Sequence, residues 1–360
     1  MRVVRGVKRT LATVLVAAAV VPVTSRTAAA QCPIVPATAS ATDPNRLLSD
    51  ACNKANDVFQ LMTPQIGAVL AGGNPSPSIG GTLGGFPHFN VGLRLNVVQG
   101  ALPRIDQANP GLGFTGAQAS LIPVDNVFIP MPQADAQIGI FKGFKLGLPI
   151  PFLGITNIGG IDALVSASFV PSAEALAGGN GIKVEGGQVA IGYGARLGVF
   201  EESLLAPGLS VSAMIRPTPE VAINAIRGGD TLGIRNTKFT TTSVRVTLSK
   251  TIPIIGLGLS GGAGIDKVEG ETTLAVKVSP LAPLPTAPVR ANYSSAAEMT
   301  RRNFFVAASL KILIVRLVGE VGLVRGGDNP VLRNEFRDGS EAVLPNATRR
   351  YATLTARIGL

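Results

Sequence analysis

From Phe86 onward the chain alternates apolar and polar residues with a period of two. Phe89, Val91, Leu93, Leu95 and Val97 are set against Asn90, Gly92, Arg94 and Asn96. This pattern predicts a strand that is greasy on one face and wet on the other. The same pattern returns over 189–199, 209–215, 243–249 and 351–360, where Ala352, Leu354, Ala356, Ile358 and Leu360 oppose Tyr351, Thr353, Thr355, Arg357 and Gly359. Looser alternation at 134–145, 158–170, 254–278, 302–313 and 315–325 brings the number of predicted strands to ten. Roughly ten residues is the length of a tilted strand that crosses a bilayer.

An even number of antiparallel strands returns both ends of the wall to the same side. With the first strand running outward, the segments 100–133, 171–186, 217–236, 279–301 and 326–346 all lie at one end. The shorter connections at 146–157, 201–207, 251–253 and around Leu313-Ile314 lie at the other. Outer-membrane barrels have this asymmetry, with short periplasmic turns and long external loops.

Ahead of the alternating region, Asp43-Pro44 opens a helix in which Leu48, Ala51, Ala55, Val58, Phe59 and Met62 recur at helical spacing. A second short turn is expected from Thr63-Pro64 to Gly72-Gly73, followed by a Gly/Pro/Ser linker to Gly85. The first thirty residues read as a secretory signal. Arg2, Arg5, Lys8 and Arg9 precede an apolar run from Thr10 to Thr24, and Ala28-Ala29-Ala30 offers the cleavage site. That run is about fifteen residues, short of the roughly 20 of a spanning helix. The expected organisation is therefore a signal at 1–30, a helical hatch or periplasmic segment with its linker at 31–86, and an outer-membrane barrel at 87–360. The fold class is all-β: an antiparallel transmembrane barrel of about 10 strands, range 10–14, with a short N-terminal helical segment.

Composition agrees with this reading. Only 15% of residues are charged and 46% are hydrophobic, with 43 Gly and 26 Pro, whereas soluble domains carry roughly 25% charged residues. Yet even the greasiest stretch beyond the signal, Leu310 to Val324, is interrupted by Lys311, Arg316 and Glu320. A wall that alternates lipid-facing and lumen-facing residues accounts for both facts. Without the signal, 27 basic residues face 22 acidic ones, a net of +5. No basic run interleaved with aromatics remains to suggest nucleic-acid binding. Cys32 and Cys52 are the only cysteines, and in an exported chain they are expected to pair, the alternative being two free thiols.

Gly256-Leu-Gly-Leu-Ser-Gly-Gly-Ala-Gly-Ile-Asp266, the hairpin from Phe304 to Val324 and the terminal strand Tyr351 to Leu360 carry a resemblance. The terminal strand resembles those of bacterial outer-membrane β-barrels in general. The other two segments are similar to the last strands of the long-chain fatty-acid outer-membrane channel family. The resemblance implies an N-terminal hatch and uptake of hydrophobic compounds. The implied partners are outer-membrane lipid, the barrel-assembly machinery and an unknown solute.

Catalytic patterns are lacking, and no enzyme activity, cofactor or metal is expected. Gly258-Leu-Ser-Gly-Gly262 has the spacing of a nucleophile elbow, but the alternation runs on through it and the only histidine, His88, lies far upstream. The wet face offers more: Arg94, Arg196, Arg216, Arg245, Lys311, Arg316 and Arg357 against Asp162, Asp266 and Glu320. A basic lumen of this kind favours anions; alternatively these groups pair with carboxylates and plug a narrow barrel. The expected function is an outer-membrane channel or transporter for small or hydrophobic solutes. A non-conducting structural or adhesive barrel with partner-binding external loops is the alternative.

Overall fold

A strand with one apolar face needs neighbours on both edges, and in hydrocarbon only a closed sheet supplies them to every strand. The computed structural model describes residues 32–33, 35, 43–76, 81–104, 120–145, 157–170, 182–186, 189–203, 206–227, 230–252, 254–278 and 288–359. The signal segment 1–30 lies outside the described residues. One helix, α1 (Pro44–Ala71), precedes ten strands that pair in chain order. These are β1 (Phe89–Pro103), β2 (Leu121–Phe141), β3 (Gly160–Phe169), β4 (Val189–Phe200) and β5 (Gly208–Pro217). They continue as β6 (Asp230–Ile252), β7 (Leu257–Val278), β8 (Val289–Ile312), β9 (Val315–Arg325) and β10 (Arg349–Gly359).

Every adjacent pair is antiparallel, and β1 bonds to both β2 and β10, so the sheet closes on itself. The closing seam runs from Asn90 opposite Gly359 to Val98 opposite Tyr351. Close strand approach is glycine-dependent at Gly194, where a β-carbon would strike the Ala213 carbonyl, and at Gly262, where it would strike Val246. No helix among the described residues is long and apolar enough to cross a membrane.

The outer face is apolar: Leu93 is 70% exposed and Val306 61%, with Ile191, Val246 and Leu259 on the same surface. The inner face holds Asn90, Arg94, Asn96, Ser166, Arg196, Ser212 and Arg245, all buried. Four strands are far longer than a bilayer requires. β2, β6, β7 and β8 have 21, 23, 22 and 24 residues, against the 9–11 or so that span the hydrocarbon.

Above the bilayer the faces exchange polarity. On β7, Leu259 and Ile265 point out while Ser260 and Asp266 point in; beyond Lys267 the exposed positions are Glu269 and Glu271 and the buried ones Val268, Leu274, Val276 and Val278. Segments expected as loops at 100–133, 217–236 and 279–301 are therefore partly strand. Along β7 and β8 the period is still two and the apolar residues face inward, whereas β2 keeps Leu121 and Phe128 exposed and β6 shifts register between Arg235 and Lys238. Shorter pieces extend the same end: Ile182–Gly186 pairs with Val221–Arg227, which pairs with β6, and Glu335–Asp338 runs parallel to the start of β2.

The polarity exchange yields a direct test. Val306→Lys, on the lipid face, is expected to lower stability to urea by about 2–4 kcal/mol. Thr273→Lys, on the outer face above the exchange, is expected to change it by less than about 0.5 kcal/mol. Equal effects would place the membrane boundary elsewhere.

Candidate functional site

The barrel interior is the site, and α1 occupies it. Asp43 caps the helix by accepting the Asn45 amide at 2.9 Å, with Pro44 in the first turn. The expected break at Thr63-Pro64 does not occur; one helix continues to Ala71. The Thr63 hydroxyl donates to the Phe59 carbonyl at 2.8 Å and the Gln65 amide to Leu61 at 3.0 Å, supplying donors on both sides of the proline. The surrounding wall then fixes the direction of the chain.

That wall is apolar at the upper end. Phe59 stacks on Phe239 with ring centroids 6.0 Å apart, in a cluster with Val98, Ile122, Leu274 and Phe336. Polar groups on the helix are matched individually: Lys54 with Asp50 at 2.5 Å, Asn56 with Ser295 at 2.7 Å, and Gln65 with the Ala101 carbonyl at 3.0 Å. Asp57 accepts from the Arg333 amide at 2.9 Å and from Asn334 at 2.8 and 2.7 Å, which ties the helix to the β9–β10 connection. Burial raises the Asp57 carboxyl above its ordinary range, and these donors oppose the rise. Cys32 and Cys52 form the expected disulfide, which tethers the N-terminal segment to the helix.

The lower end is polar, and here the predicted wall residues converge on the last turn of α1. A helix C-terminus leaves four carbonyls without partners and carries partial negative charge. Arg94 donates to the Gly72 carbonyl at 2.8 Å and pairs with Asp135 at 2.9 Å. Arg245 donates to the Ala71 carbonyl at 2.9 Å and also to Gly73, and lies 3.5 Å from Asp266. Asn96 takes the Val69 carbonyl at 3.1 Å. Glu320 accepts the Asn74 amide at 3.0 Å and the Tyr351 hydroxyl at 3.1 Å.

Below this layer Asp162 pairs with Arg196 and accepts the Leu83 amide at 3.1 Å, so the linker is held down to the short-connection mouth. The chain thus runs through the barrel from its long-connection end to the start of β1. The helix stands within the cylinder and does not cap it from below.

No family model matches the chain, and no curated protein matches it. The resemblance to the fatty-acid channel family therefore gains no support. Among solved structures, the translocator domain of autotransporter NalP from Neisseria meningitidis is 10% identical, with a TM-score of 0.38, over 75% of this chain and 88% of that one. The P. putida toluene transporter TodX is 11% identical at 0.22, over 76% and 88%. The Ralstonia pickettii toluene transporter TbuX is 10% identical at 0.23, over 81% and 98%. At these scores the likenesses supply no residue correspondence.

Eight of the ten predicted lining residues are buried inside the barrel: Arg94, Arg196, Arg216, Arg245, Arg357, Asp162, Asp266 and Glu320. Lys311 and Arg316 lie instead at the short-connection mouth, exposed and half-buried. Arg216 differs from its neighbours in having only the Met214 sulfur, at 3.1 Å, as a hydrogen-bond acceptor among the described residues. Ser260, the centre of the elbow-like motif, lies inside uninterrupted β7 opposite Ser249 and Ala307.

Sequence reasoning placed Asn96 and Tyr351 on the wet face without giving them a role, and missed Asp135 and Asn74. Parity alone would have placed Asp135 on the wet face with Gln133 and Gln137; nothing local marks Asn74, whose role depends on the path of the linker.

Breaking a buried ion pair by removing one partner costs roughly 3–5 kcal/mol. Arg245→Ala is expected to lower the urea stability of the folded barrel by about that amount, because it strips two helix carbonyls and Asp266 together. Arg350→Ala, at an exposed position on the same wall as Arg357, should change it by less than about 0.5 kcal/mol; equal losses would remove the helix clamp.

Proposed function

We propose that the protein is an outer-membrane β-barrel held closed by its own N-terminal helix, with the segment ahead of the helix delivered to the external face. The observation that carries this reading is the path of α1. Its first half packs among the long strands and the β9–β10 connection, and its C-terminus is clamped by Arg94 and Arg245. Short turns are periplasmic in such barrels and long connections external. Both ends of the wall, Phe89 and Gly359, are at the short-turn end, and on this reading the start of α1, at the opposite end, is external. On this reading the N-terminal arm passes through the lumen and emerges outside, where a periplasmic N-terminus was expected.

In this state the basic residues act on the plug and not on a passing solute. The resting barrel is a structural or display element whose arm and outer strands are available to partners. A channel for small or hydrophobic solutes remains the second reading, with α1 as a movable hatch. It is favoured by Arg216 and Arg357, for which no ion pair is formed among the described residues. Withdrawal of the helix would leave them as cations in an aqueous lumen, where anions are preferred.

Two measurements test the proposal. An epitope inserted after Val35 is expected to bind antibody on intact cells; binding only after the outer membrane is breached would contradict an external arm. The purified full-length protein in a planar bilayer is expected to give no steady conductance steps at low voltage. Steady, anion-selective steps would favour the open-channel reading instead.

A further inference from the structure

Lys311, Arg316 and Arg357 come from three consecutive strands, β8, β9 and β10, and meet at the short-connection mouth of the barrel. There they line a cleft of about 420 Å³, together with Asn90, Thr251 and the linker Gly81–Gly84. The linker residues Gly81, Thr82, Leu83 and Gly84 line one side of this vestibule. We propose that this vestibule binds a small free anion carrying a carboxylate or phosphate group.

Three observations carry the proposal. First, Arg357 is only 4% exposed, lines the cleft, and its Nη1 has no hydrogen-bond partner among the described residues. A buried guanidinium nitrogen without an acceptor is costly, and an anion in the cleft would supply the acceptor. Second, the cleft keeps an excess of positive charge: Lys311, Arg316 and Arg357 stand against Glu201 and Glu202, and Glu202 acts on Arg316 as well as on Thr251. Glu201 accepts from Asn157 and Thr82, and Glu202 accepts the Thr251 amide and faces Ser249 and Lys250. Third, the volume suits a small molecule and is too small for a folded partner.

The cationic wall belongs to the barrel and not to α1. The site therefore stands or falls separately from the external arm.

The test uses the full-length protein folded in detergent, titrated calorimetrically with sodium phosphate and, separately, with sodium acetate. Saturable binding of at least one anion is expected, at least about tenfold weaker in Lys311→Gln/Arg316→Gln. It should be unchanged in Arg290→Gln, an exposed cation at the opposite end of the barrel. Binding of phosphate alone or acetate alone assigns the head group. Heat-modifiable migration on a gel reports that the double variant is folded; if it is lost, the single Lys311→Gln change, at an exposed residue, takes its place. Absence of saturable binding by either anion, undiminished binding in the Lys311 and Arg316 variants, or an equal loss in Arg290→Gln would overturn the proposal.

Discussion

Closing ten strands with their apolar faces outward forces the polar faces inward, and that inner surface must then find partners. Lipid cannot supply them, and a barrel this narrow has limited room for water. Buried guanidinium and hydroxyl groups left unmatched would cost more than the strands gain by pairing. Here part of the missing partnership comes from the chain itself, while groups such as Arg216 Nε and Ser166 Oγ have no partner among the described residues. A helix entering from above ends in the middle of the lumen, where its unsatisfied carbonyls meet Arg94, Arg245 and Asn96. Positive wall and negative helix end are complementary, so each answers the other's desolvation.

The same constraint explains the two-storey interior. Within the bilayer the wall is polar inside because it is apolar outside. Beyond that region β6, β7 and β8 continue with the opposite arrangement and help enclose an apolar core of Phe59, Phe239, Leu274 and Val276. The upper half of α1 is held by hydrophobic packing and the lower end by charge-assisted hydrogen bonds. The inner face changes from polar to apolar near Lys267 on β7 and Phe239 on β6. Two kinds of interaction in series give the plug both depth and register.

The membrane-embedded part of the fold was legible because lipid imposes one rule on every strand. Each of the ten expected strands is present, and Arg94, Arg196 and Arg245 are buried on the inner face of theirs. The upper storey was not legible in the same way. There the period of two persists at Val289, Ala291 and Tyr293 of β8, but its polarity is reversed, and a reading tuned to lipid takes 279–301 for loop. The role of the arginines was also hidden, because whether a basic lumen faces solute or a helix end depends on where the N-terminal segment goes. The sequence of α1 showed only that a helix forms; its burial on nearly all sides, including at Gln65 and Asp57, is a tertiary fact.

The account turns on the helix being inside the barrel in the membrane. A disulfide engineered between α1 and the wall tests this most directly, at Asn56 and Ser295, whose side chains are hydrogen-bonded at 2.7 Å. With both replaced by cysteine in a background carrying Cys32→Ser and Cys52→Ser, mild oxidation of outer-membrane fractions should close the cross-link nearly completely, seen as a mobility shift reversed by reductant. A folded, heat-modifiable barrel in which the two thiols stay free and react readily with a water-soluble maleimide would contradict it.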